Sequence, residues 1–100
     1  MNMQQMMIQA QKMQRELKKA QAELAQKEFK ATKGGAVTVV VLGNKEVKKV
    51  EIDKEAFDPD NKEMIEDMIA MAINDVIAQI DKEAEEINER ITGQRGGFGF

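Results

Sequence analysis

The side chains of greatest chemical consequence in this 100-residue chain are basic. Lys12, Arg15, Lys18 and Lys19 crowd one short stretch, Lys27, Lys30 and Lys33 recur at every third position, and Lys45, Lys48 and Lys49 complete the set. Cations so placed suit a line of phosphates, because a polyanion is held through charge and hydrogen bonds without any base-reading element. They also suit a plainer role. Lys12 and Lys19 stand four residues before Glu16 and Glu23, the spacing of helical ion pairs worth about 0.3 kcal/mol each. Spacing alone leaves both readings open.

The acidic residues are abundant but poorly equipped for catalysis. Asp81, Glu83, Glu85, Glu86 and Glu89 gather in one segment, where a solvated helical face with partners such as Glu86 and Arg90 accounts for them. The chain has no His, Cys, Tyr or Trp, so the usual acids, bases and nucleophiles are missing. Gly34-Gly35 precedes a β-branched run and not a helix, so it is no phosphate-cradling loop. No EF-hand pattern occurs around Asp53 to Asp60. The expectation is a protein that is not an enzyme and that uses neither a metal nor a cofactor. The few aromatics argue against a dedicated reader of RNA or single strands.

These residues sit in a chain whose halves differ in sign. Residues 1–50 carry ten Lys or Arg against four Glu, and residues 51–100 five Lys or Arg against fourteen Asp or Glu, giving +6 and −9 within a net charge of −3. Such asymmetry points to an anionic partner for the basic half, or to two helices of opposite charge complementing each other. The absence of Cys removes disulfides and thiolate metal sites and suits a reducing cytosol. No signal-peptide pattern opens the chain, and no run approaches the ~18 apolar residues of a membrane span.

Periodicity sets out the elements that carry the charges. From Met3 to Lys27 the apolar positions follow heptad spacing, with Met3, Ala10, Leu17 and Leu24 in one row and Met6, Met13 and Ala20 in the other. That is a narrow helical seam, rich in adaptable methionine. Lys12, Arg15 and Lys19 lie opposite it. From Glu28 the period shortens to two, and three antiparallel strands in a meander are predicted. Val39, Val40 and Val41 present apolar groups to both faces, which marks a central strand. Gly43-Asn44 fits a two-residue II′ turn, and a three-residue loop including Lys45 is equally allowed. A bulge near Lys48-Lys49 would reconcile Val47 with Val50 and Ile52. Asp58-Pro59 then starts a second helix that runs to about Ile91 and stops at Thr92-Gly93.

Lengths turn this pattern into an architecture. The helices span roughly 36 and 50 Å against strands of about 20 Å, so half of each has no sheet beneath it. The expectation is an α+β protomer with projecting helical arms. In each arm the Met-rich N-terminal half would lie against the Ile-rich C-terminal half. An uncovered valine face, with Val37, Val39, Val40, Val41, Val47 and Val50 as candidates, would join two copies into a homodimer. Residues 1–92 read as a single domain and 93–100 as a flexible Gly/Phe tail.

Several blocks in this order resemble the YbaB/EbfC family of bacterial nucleoid-associated proteins: Gln9-Ala10-Gln11-Lys12-Met13-Gln14, Gly34-Gly35, Glu46-Val47-Lys48-Lys49-Val50-Glu51-Ile52-Asp53 and Lys62-Glu63-Met64-Ile65-Glu66-Asp67-Met68-Ile69. The resemblance implies an α-β-β-β-α protomer, a tweezer-like dimer, and binding of double-stranded DNA with little sequence preference in the cytoplasm, at the nucleoid. On that reading the ten basic residues named above are the candidate DNA contacts. The rival reading is an interaction module for recombination or replication proteins whose DNA affinity is incidental.

Overall fold

The computed structural model describes residues 2–93. Helix α1 (Met3–Gln26) leads into strands β1 (Glu28–Lys33), β2 (Val37–Leu42) and β3 (Val47–Ile52), and helix α2 (Lys62–Thr92) closes the order. The sheet is an antiparallel meander, β1-β2-β3, with β2 central. The α-β-β-β-α order expected from the sequence is therefore present.

Turn chemistry fixes the meander. Gly34 and Gly35 both take positive φ, and the Ala36 N–H donates to the Lys33 carbonyl at 3.0 Å, the type I′ geometry that the twist of paired strands favours. The second turn uses three residues. The Lys45 N–H reaches the Leu42 carbonyl at 2.7 Å, and Lys45 itself lies at φ 73. Of the two connections allowed by the sequence, the longer one occurs.

Register then decides which side chains meet α2. Phe29 and Ala31 in β1 and Val37, Val39 and Val41 in β2 face the helix and are buried. A bulge opposite Val40 and Val41 pairs Val41 with Val47 and Val40 with Lys49. The extra residue brings Val47, Val50 and Ile52 to the helix side and turns Lys48 and Lys49 to the other.

This overturns part of the expected dimer surface. Val37, Val39 and Val41 lie beneath α2 of their own chain, against Ile65, Ala72, Val76 and Ile80, so a second copy cannot reach them. Nor is the uncovered face a valine face. It carries Lys30, Thr32, Thr38, Lys49 and Glu51 around Val40 and Leu42, because alternation sends only every second residue to each side.

Helix α2 begins through a 3₁₀ turn at Pro59–Asn61 whose cap is Asp58, accepting from the Asp60 N–H at 2.8 Å. It ends at Gly93, at φ 73, whose N–H bonds the Glu89 carbonyl at 2.8 Å. Its 31 residues extend about 46 Å, more than twice the length of a six-residue strand. The overhang packs antiparallel on the C-terminal half of α1, through Ile87 and Ile91 against Leu17, Ala20 and Leu24. Among the described residues the Met-rich half of α1 has no such partner. Since α2 stops beside Glu16 to Ala20, residues 3–16 project alone for about 20 Å, which corrects the expected pairing of the Met-rich half with α2. The radius of gyration is 19.0 Å and the long axis 69 Å, against ~13 Å for a globular chain of this size.

One contact aims α1. The Gly43 N–H bonds the Lys27 carbonyl at 2.9 Å and the Asn44 N–H the Ala25 carbonyl at 3.2 Å. A Cβ on Gly43 would fall 1.8 Å from the Leu24 carbonyl oxygen. Gly43→Ala should therefore lower the unfolding free energy by about 3 kcal/mol, seen as a lower urea midpoint with an unchanged slope.

Candidate nucleic-acid interface

The ten basic residues singled out in the sequence separate into two groups. Lys27 pairs with Glu83 at 2.6 Å, Lys33 with Asp75 at 3.1 Å, Lys45 with Asp81 at 3.3 Å and Lys49 with Glu51 at 3.1 Å, while Lys48 meets Glu28 across the outer face of the sheet. Lys12, Arg15, Lys18, Lys19 and Lys30 make no salt bridge among the described residues. The i, i+4 pairs of Lys12 with Glu16 and Lys19 with Glu23, allowed by spacing, are not formed. Of these five, all but Lys30 lie on α1.

Helical geometry explains the sorting. Asp75, Gln79 and Glu83 stand four apart and form one row along α2, and that row lies over β1. Asp75 takes Lys33, Gln79 donates to the Lys30 carbonyl at 3.3 Å, and Glu83 takes Lys27. A second row, Ile73, Ile77 and Asp81, faces the β3 side, where Asp81 reaches Lys45 in the turn. Neither row was singled out in the sequence, although the four-residue spacing of Asp75, Gln79 and Glu83 is plainly written there.

On α1 the unpaired cations spread over the helix face away from the seam. Lys12, Arg15 and Lys19 span about 10 Å along the axis, and Lys18 widens the group. All four are exposed. Glu16 and Glu23 sit on the flank of the seam, beside the last turn of α2. A cleft of about 270 Å³ between the helices gathers Glu23, Glu83 and Glu86 with Lys27 and Arg90, and its mixed charge suits an ion-pair network better than a ligand. Among the described residues no group of His, Cys, Asp or Glu is arranged to hold a metal ion, and no helix is long and apolar enough to cross a membrane.

The other sheet edge carries a different surface. Val47 and Val50 on β3 remain 47% and 43% exposed, because α2 lies over β1 and β2. Ile73 and Ile77 flank them and are only partly covered. The hydrogen-bonding edge of β3 has no partner strand among the described residues.

Comparison with known proteins agrees with this architecture. The family model described as the YbaB/EbfC DNA-binding family matches residues 1–95. A protein of Lachnospira eligens named nucleoid-associated protein is 50% identical over 80 residues, covering 79% of this chain and 69% of its own. One of the same name from Agathobacter rectalis is 46% identical over 97 residues, covering 96% and 86%. A crystal structure of protein HP0035 from Helicobacter pylori superimposes with a TM-score of 0.76 over 92% of this chain and 98% of that one, at 18% identity, a likeness of fold.

The bridges at β1 are solvent-exposed, so each should contribute little. Double-mutant cycles on Lys27 with Glu83 and on Lys33 with Asp75, read by urea unfolding, should return coupling energies of about 0.5 kcal/mol each.

Proposed function

Because the chain belongs to the YbaB/EbfC DNA-binding family, we propose that it acts at the nucleoid as a homodimer that binds double-stranded DNA with little regard to sequence, through phosphate contacts made by the cations of α1. The observation that carries this reading is the sorting of charge. Lys12, Arg15, Lys18 and Lys19 stand exposed without carboxylate partners among the described residues, whereas Lys27, Lys33, Lys45, Lys48 and Lys49 already answer to Glu or Asp. An unpaired cation gains the whole of a phosphate contact. A paired one must first give up its partner.

Nonspecific binding follows from side-chain type. These four residues carry charge on long flexible stems and suit phosphates more than base edges. A duplex bound this way exchanges counterions for side chains, so affinity follows salt. With about six phosphates neutralised by a dimer, it should fall about a thousandfold between 50 and 200 mM salt. Replacing Lys12, Arg15 and Lys19 together by Gln should remove most of that slope in a gel-shift titration on an unrelated duplex. The same replacement of Lys33, Lys45 and Lys49 should change it little. Equal losses from both triples would end the α1 proposal, and no binding by the natural sequence at 50 mM salt would favour the grip on a recombination or replication protein, for which the exposed methionines of α1 speak.

For the homodimer the β3 edge offers the needed apolar surface. Val47 and Val50 with Ile73 and Ile77 make a strip along the β3 edge, which has no partner strand among the described residues. Isologous pairing there would cover side chains that one chain leaves half exposed. Sedimentation should give twice the 11.3 kDa chain mass at micromolar protein, and Val47→Asp with Ile77→Asp should return it to the single-chain value.

A further inference from the structure

The N-terminal part of α1 is a finished heptad seam with nothing on it among the described residues. Met3, Met6 and Met13 are 78%, 57% and 40% exposed, and with Ala10 they continue the rows whose lower members, Leu17, Ala20 and Leu24, pack beside α2. Below Glu16 the seam belongs to an intramolecular helix pair. Above it the same surface runs on for about 20 Å past the point where α2 ends.

Flanking positions indicate what covers such a seam. In the heptad frame set by Met3 and Met6, the bare segment has Asn2, Met7, Gln9 and Gln14 at the positions that border the contact, where charge would select or reject a partner helix. All are uncharged. The first charges at those positions, Glu16 and Glu23, appear where α2 already lies alongside. The basic residues Lys12, Arg15, Lys18 and Lys19 stand at the three positions farthest from the seam. A second α1 arm can therefore lie on the seam without like charges meeting, and the phosphate-binding face stays free while it does.

We infer that the bare seam of α1 is the docking site for the α1 arm of a second copy, joining one DNA-bound dimer to the next. This rests on the proposed DNA binding for its setting, but the contact is a property of the free protein. Only about two heptads are available, and a durable coiled coil needs about three or four. The pairing is weak in dilute solution and becomes substantial where a shared duplex holds neighbours at millimolar effective concentration. Its expected consequence is cooperative coating or bridging of duplexes.

The test uses Met3→Gln, Met6→Gln and Met13→Gln in one chain. Glutamine keeps the helix and the charge, and the replaced side chains are exposed, so circular dichroism and the melting point should not move. At millimolar protein, sedimentation of the natural sequence without DNA should show species heavier than the dimer, and the triple variant should remain at the dimer. On a long duplex the natural sequence should bind with a Hill coefficient of about 2 or more, falling to about 1 in the variant, while binding to a duplex that holds one dimer changes less than about twofold. Identical sedimentation of the two proteins would overturn the inference whatever the DNA result. So would loss of the heavier species on deleting residues 94–100, which would place that segment and not a second arm on the seam. Because sedimentation is read without DNA, failure of the DNA-binding reading would leave this contact separately decided.

Discussion

Everything in this molecule follows from a helix too long for the sheet it covers. A three-stranded sheet with six-residue strands offers one apolar face to α2, and Val37, Val39 and Val41 are consumed there. The remaining apolar stripe of α2, through Ile87 and Ile91, would face water if α1 did not return alongside it. Burying a side chain of that size is worth about 2 kcal/mol, so the helix pair is held by the same effect that holds the core. Its direction is set by Gly43, where a close approach of two backbones locks the end of α1 to the β2–β3 turn.

Charge is arranged around this frame and does not create it. The basic first half and acidic second half of the chain meet at the edge of the sheet, where Lys27 and Lys33 find Glu83 and Asp75. Exposed bridges of this kind add little stability. Their effect is on availability, since an outside anion must displace a carboxylate to engage Lys27 or Lys33. Lys12 and Arg15 lie beyond or beside the end of α2, and Lys18 and Lys19, although level with its last turn, stand on the face of α1 turned away from it.

Much of this was legible in the residues. Alternation at Phe29 and Ala31 and the paired glycines carry local rules, and the strands and turns fall where those rules put them, while Asp58-Pro59 opens a 3₁₀ turn and α2 itself begins at Lys62. The bulge was foreshadowed by the conflict between Val47 and Val50. The face of the sheet that α2 takes was not legible, because a strand with Val39, Val40 and Val41 in sequence offers apolar groups to either side. It follows instead from the register with β1, whose Phe29 and Ala31 complete only one face. The pairing of the arm also escaped, for heptad spacing says which surface is apolar and not how far a partner helix extends. For the interface, residue type named the ten cations, but which were already engaged depended on a row of α2 four residues in period.

The bulge at Lys48 also bears on how this chain avoids a hazard common to open sheets. A straight apolar edge strand is a template on which further strands add without limit, the beginning of a fibre. Here the irregular residue twists β3 and places two adjacent ammonium groups on its outer side, so successive chains stacked in register would bring like charges together. Unlimited strand addition is thereby discouraged at an edge that has no partner strand among the described residues.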